Sequence, residues 1–292
     1  MHPVLAELTA EKPVLLDGAW GTELQKRGLP LGACPDGWNL EAPEQVEAVA
    51  RDYVDAGSRI ILTNTFGANR FTLKKNRLAE RTAEINRRGV EISLRAAGGR
   101  AKVFASMGPS GVMLMMGAVT AEELSAAFAE QARAMAEAGA HGIVVETMSD
   151  PAEAVLAVRA AKATGLPVVA CMTFDTGPNR DRTMMGTSPE QAVAQLAEAG
   201  ADAIGANCGQ GPSGFVAICR RMKAAAKLPV WIKSNAGLPQ LIDGVAAYTT
   251  TPEDFAEQAM AIVAEGADFI GGCCGTSPAY IRALAAKFAG GR

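Results

Sequence analysis

Short apolar runs alternate along this chain with longer, Ala-rich stretches of mixed polarity. Eight runs have the length of buried strands: Val14–Asp17, Ile60–Thr65, Lys102–Met107, Ile143–Thr147, Pro167–Thr173, Ala203–Asn207, Pro229–Ser234 and Phe269–Cys273. The stretches between them are amphipathic, and their starts carry helix-capping chemistry. These starts are Ala42-Pro43-Glu44, Thr120-Ala-Glu-Glu123, Ser149-Asp-Pro151, Ser188-Pro-Glu190, Thr251-Pro-Glu253 and Ser277-Pro278. Four junctions repeat one pattern, an acid and a glycine followed by an apolar run: Asp55-Ala-Gly-Ser-Arg-Ile60, Glu137-Ala-Gly-Ala-His-Gly-Ile143, Glu198-Ala-Gly-Ala-Asp-Ala-Ile204 and Glu265-Gly-Ala-Asp-Phe-Ile270. A helix that stops at a glycine and feeds a buried parallel strand reads this way. The glycines at 57, 139, 200 and 266 are about two βα units apart, with a longer first interval that leaves room for an extended loop. The pattern predicts an α/β protein, a single (β/α)8 TIM barrel filling one domain over residues 1–292, with an open doubly wound sheet as the alternative.

In a barrel, the residues just past each strand form one rim, where this architecture builds its active sites. Seven residues beyond the repeat glycines lie Asn64, Glu146 and Cys273, and eight beyond lie Cys208 and Cys274. Asp17 ends the first strand and Asn235 follows the seventh. Cys208, from the sixth strand, and Cys273 and Cys274, from the eighth, come from alternate strands whose tips can converge. Three thiolates form a zinc site with its fourth tetrahedral position open, as catalysis requires. The glycines of Gly271-Gly-Cys-Cys-Gly275 would let both adjacent side chains face one ion. The competing reading of the last segment is a phosphate pocket at a glycine-rich turn, but nothing basic accompanies it. Cys34, Cys171 and Cys219 are expected to be small buried hydrophobes.

Composition narrows the chemistry. The 292 residues are 49% hydrophobic, enough for a sizeable core, and carry 28 basic against 31 acidic side chains, a net charge of −3. No Lys/Arg-rich run offers a footprint for nucleic acid, and no apolar stretch reaches the length of a membrane helix. The first residues carry an acid early and no apolar segment with a cleavage site, so secretion is not expected. Six cysteines with two adjacent do not resemble a disulfide scaffold, and a reducing cytoplasm is the simplest setting. The only histidines are His2 and His141, the latter at the opposite barrel face, which removes histidine-based catalysis. A zinc ion held by three thiolates chiefly lowers the pKa of a further bound thiol and leaves it nucleophilic, so alkyl transfer to a thiol fits better than hydrolysis. Glu146, inside the apolar run Gly142-Ile-Val-Val-Glu-Thr147, needs a positive partner, either a substrate ammonium or an internal lysine. The Val112-Met-Leu-Met-Met-Gly117 loop lies at the same rim, as core filling or as a docking surface for a cofactor or partner.

These residues carry a resemblance. Leu16-Asp-Gly-Ala-Trp-Gly-Thr22, Leu62-Thr-Asn-Thr-Phe-Gly67, Gly108-Pro-Ser-Gly111, Val145-Glu-Thr147, Gly205-Ala-Asn-Cys208, Ser234-Asn-Ala-Gly-Leu-Pro239 and Gly271-Gly-Cys-Cys-Gly-Thr276 together resemble the zinc-dependent homocysteine S-methyltransferase family over nearly the whole chain. Within it, the chain is most similar to the homocysteine-binding module of cobalamin-dependent methionine synthase. The resemblance implies a (β/α)8 barrel with Zn2+ held by Cys208, Cys273 and Cys274 and homocysteine bound through its sulfur. It also implies that Asp17 and Glu146 line the amino-acid pocket, Glu146 receiving the ammonium; Asn64 and Asn235 are further candidates for substrate hydrogen bonds. Folate and cobalamin modules are not part of the sequence, so the implied methyl source is a separate methyl-corrinoid protein. Betaine-dependent relatives place a tyrosine after the pocket glutamate, where this chain has Thr147. The alternatives are a small donor, S-methylmethionine or betaine, and a non-catalytic barrel that holds zinc within a corrinoid assembly.

Overall fold

The computed structural model describes residues 2–238, 240–242 and 245–290. The eight apolar runs become parallel strands β1 (Val14–Leu15), β2 (Ile60–Ile61), β3 (Lys102–Met107), β4 (Gly142–Met148), β5 (Val168–Met172), β6 (Ala203–Asn207), β7 (Val230–Ser234) and β10 (Phe269–Gly272). An antiparallel hairpin, β8 (Gln240–Ile242) and β9 (Val245–Ala247), sits on the connection between β7 and β10 and is not signalled by the sequence pattern. Pairing runs β1-β10-β7-β6-β5-β4-β3-β2, so the sheet curls back on itself as a TIM barrel rather than opening into a doubly wound sheet. No ladder links β1 to β2. Arg59 N–H donates to Leu15 O at 2.8 Å, and Leu62 N–H donates to the Asp17 carboxylate at 2.7 Å, so a side chain finishes the seam.

Helices fill the intervals, including Pro43–Asp55, Thr82–Ala97, Ala121–Glu137, Pro151–Lys162, Pro189–Glu198, Pro212–Ala225, Pro252–Ala264 and Pro278–Gly290. Thr120 with Glu123 and Ser188 with Gln191 form reciprocal capping boxes, which is why those helices begin where they do. The four repeat glycines all adopt left-handed backbone, φ 102°, 89°, 100° and 94°, a conformation that stops each helix without a Cβ penalty.

Inside the barrel, Val14, Leu16, Ile60, Leu62, Phe104, Val144, Val169, Cys171, Ala203, Trp231 and Phe269 pack together. Trp231 lies 6.1 Å from Phe104 and 5.1 Å from Phe269, ring centre to ring centre. A short helix, Pro3–Thr9, adds Leu5 and Leu8 to this interior. Side chains alternate in and out along a strand, so the inward positions two residues beyond Phe104, Val144, Gly205, Trp231 and Gly271 are Ser106, Glu146, Asn207, Lys233 and Cys273. An apolar plug thus supports a polar layer at the C-terminal end.

Candidate functional site

The sulfurs of Cys208, Cys273 and Cys274 lie within 4.8 Å of one another, and Cys208 Sγ is 3.8 Å from Cys274 Sγ. Two sulfurs at about 2.3 Å from a tetrahedral zinc ion stand about 3.8 Å apart, so the donor set and its spacing fit that ion. The backbone is arranged for this convergence. Cys208 has φ 64°, rare for a residue with a side chain, and its N–H donates to Lys233 O at 3.0 Å. Cys273 N–H donates to Ser234 O at 2.7 Å. A Cβ on Gly271 would meet Asp17 O at 2.7 Å, so only glycine brings β10 this close to β1. Hydrogen bonds from the Cys273 and Cys274 thiols, with help from the Asn235 side chain, hold Cys208 far below its ordinary pKa; donating to Cys208, and secondarily its charge, pushes the other two up. Among the described residues this is the only cluster of three histidine, cysteine or acidic side chains arranged to hold a metal.

Beside the sulfurs stands Glu146, 6% exposed. Its Oε1 accepts from Ser106 Oγ at 2.5 Å and its Oε2 from Asn207 Nδ2 at 3.4 Å. Burial pushes its pKa up to about 7, with Cys273 and Asp17 adding to the rise and Lys233 opposing it. Among the described residues no ammonium contacts it directly. The internal lysine exists, but Lys233 Nζ donates to Asp17 Oδ1 at 2.6 Å instead. Burial opposes the charge of Lys233, yet Asp17, Glu146 and Cys273 keep its pKa above the ordinary value.

Asp17 and Asn64 are otherwise engaged. Besides Lys233, Asp17 accepts from Trp20 Nε1 at 2.9 Å and from Leu62 N–H, so both oxygens have donors. Trp20 is thereby pinned by its indole against the barrel rim. Asn64 Nδ2 donates to Pro35 O at 2.7 Å and Asn39 Oδ1 at 3.0 Å, binding the loop after β1 to the loop after β2. Asn235 is different: it hydrogen-bonds Cys208, while its Oδ1 is buried without a partner. Pro239 of the Ser234–Pro239 run lies outside the described residues. Cys171 and Cys219 are buried and Cys34 half-buried in a loop. His141 accepts from Val103 N–H at the start of β3, remote from the sulfurs.

Three site residues escaped sequence reasoning. Lys233 sits in an apolar run, where an inward charge was a detectable signal. Asn207 was overshadowed by the cysteine beside it. Tyr248, whose hydroxyl hydrogen-bonds Cys274, follows the hairpin and carries no spacing signal.

Around this mouth, every large apolar side chain that is well exposed among the described residues lies on a loop leaving the C-terminal end of a strand: Leu31, Phe66, Met113, Met115, Met116, Met184, Met185 and Leu238. Met115 and Met116 are 69% and 73% exposed. Among the described residues no helix is long and apolar enough to cross a membrane.

Comparison with known proteins gives a consistent result. The profile of the family described as Homocysteine S-methyltransferase matches residues 14–288. The chain is 33% identical to the methionine synthase of Mycobacterium tuberculosis over 98% of its length, but spans only 25% of that protein. It is 29% identical to betaine–homocysteine S-methyltransferase 1 of Rattus norvegicus, covering 98% of this chain and 74% of the relative. Among solved structures, the metallated form of the Escherichia coli homocysteine methyltransferase MmuM superposes with a TM-score of 0.82 at 26% identity, covering 98% of this chain and all of MmuM.

Proposed function

The chain belongs to the homocysteine S-methyltransferase family, and from that premise we propose that it transfers a methyl group to the thiol of homocysteine, giving methionine, with zinc held by Cys208, Cys273 and Cys274. The observation that carries this is the convergence of three sulfurs beside a buried carboxylate that makes no direct ion pair, Lys233 being bonded to Asp17 instead. Bound there, zinc would lower the pKa of the substrate thiol and keep it nucleophilic. Glu146, whose pKa burial pushes up to about 7, gains a direct ion pair when the substrate ammonium arrives, and Ser106 and Asn207 aim its oxygens. Asn235 offers an acceptor with no other partner. Asp17 and Asn64 act in this reading as supports: Asp17 orients Trp20 and Lys233, and Asn64 fixes the rim loops. The thiolate attacks the methyl carbon, the sulfur–carbon bond forms as the donor–carbon bond breaks, and the donor leaves with the bonding electrons.

A methyl-corrinoid protein is the donor in this proposal. The ring of exposed apolar side chains around the mouth supports it, because a protein donor must seat there and methionine surfaces adapt to partners. The likeness to methionine synthases points the same way. A small donor is the second reading, favoured by the likeness to betaine–homocysteine S-methyltransferase 1 over 98% of this chain. The deciding experiment supplies homocysteine with a methylated corrinoid protein, S-methylmethionine or betaine in turn and measures methionine. Zinc at one per chain and loss of product in Cys273→Ser are expected. A metal-free protein that is equally active after chelation would overturn the proposal.

A further inference from the structure

The polar layer contains one side chain that touches both halves of the site. Asn207, fully buried at the tip of β6, reaches Glu146 Oε2 at 3.4 Å and Cys273 Sγ at 3.8 Å through its Nδ2. Its amide is locked. Thr147 N–H donates to Oδ1 at 2.7 Å, which fixes which end is oxygen, and Nδ2 donates to Thr147 Oγ1, also at 2.7 Å. Its own carbonyl accepts from Thr173 Oγ1 at 3.0 Å. The residues on either side of this clamp, Thr147 and Cys208, both hold left-handed backbone, φ 61° and 64°. For a β-branched threonine that is an outlier, sustained only where surrounding bonds determine it. The clamp therefore holds the pocket carboxylate and the sulfur cluster at a set separation.

We propose that Asn207 is a positioning residue whose bridge between Glu146 and Cys273 sets the distance between the amine and sulfur anchors, and so selects homocysteine over cysteine. This rests on the reading above, in which Glu146 takes the ammonium and the cysteine cluster takes the thiol through the metal. Cysteine is one methylene shorter between the same two groups. With rigid anchors it satisfies one end at the expense of the other, whereas homocysteine satisfies both. Asn207 contributes no ligand to the metal, so its removal loosens the spacing without emptying the cluster.

The test measures zinc content and the affinities of homocysteine and cysteine, by calorimetry, for the zinc-loaded wild type, Asn207→Ala and Thr147→Val. In Asn207→Ala, zinc stays at the wild-type level and the preference for homocysteine over cysteine falls about tenfold, the scale on which one methylene is discriminated. Thr147→Val, which removes one of the two bonds locking the amide, shifts the preference in the same direction by less; it also carries the test should Asn207→Ala fail to fold. A purely structural role would weaken both ligands alike. An unchanged preference in the folded variants, or one lost only together with zinc, overturns the inference. A wild type that binds neither zinc nor homocysteine overturns the underlying functional reading instead.

Discussion

At the scale of single residues, the site depends on which buried charges have partners. Glu146 has hydrogen-bond donors but no direct ion pair among the described residues. Glu146→Gln keeps the shape and removes the charge, so the KM for homocysteine is expected to rise about 10- to 100-fold, the worth of a charge-assisted hydrogen bond. Zinc content should be unchanged; initial rates and metal analysis check both. Asp36, in the loop after β1, gives a pH signature. It accepts from Gly67 N–H, and burial pushes its pKa up to about 6. Because the folded value exceeds the unfolded one, the folded state binds the proton more tightly, and stability from this group falls as pH rises from about 4 to about 6. Asp36→Asn removes that loss, so its Tm relative to wild type should be higher at pH 8 than at pH 4, by the equivalent of about 3 kcal/mol. The three metal-binding candidates and Glu146 were legible because spacing from a repeated glycine puts them on one rim. The partners of Asp17 were not: nothing in the local sequence says that Trp20, Lys233 and Leu62 N–H would converge on one carboxylate.

Elements were more legible than contacts. The glycine-ended junctions and capped helix starts located the barrel's βα units, since both signals are local. β1 and β2 came out shorter than their apolar runs because side chains replace the ladder there: Asp17 takes Leu62 N–H, and Thr63 Oγ1 takes Ser106 N–H. Strand packing also depends on an absent atom. A Cβ at Gly205 would stand 2.1 Å from Trp231 O and 2.7 Å from Cys171 Sγ, so Gly205→Ala should lower stability by about 1–3 kcal/mol or more, read as a shift in denaturant midpoint. β7 and the segment after β1 are joined through Lys233 and Asp17, whose side chains are 3% and 0% exposed. Lys233→Met strands a buried carboxylate and should cost about 3–5 kcal/mol, while adding Asp17→Asn recovers part of it. Chemical denaturation of the two single variants and the double variant measures that coupling.

For the whole molecule, the distribution of well-exposed large apolar side chains among the described residues is lopsided, confined to loops at the end that holds the sulfurs. If that ring seats a methyl-corrinoid protein, replacing Met115 and Met116 with glutamate raises the KM for the protein donor about tenfold, the cost of losing one sizeable interface contact. The rate with free methylcobalamin should not move, and steady-state kinetics with each donor separates the two. The three sulfurs come from just beyond β6 and just beyond β10, the last barrel strand, with β7 between those strands. No contiguous fragment of the first seven strands contains more than one of them. During synthesis the chain therefore cannot assemble its full sulfur set until the eighth barrel strand emerges and docks against β1 and β7. Capture of the ion would then report that the ring has closed.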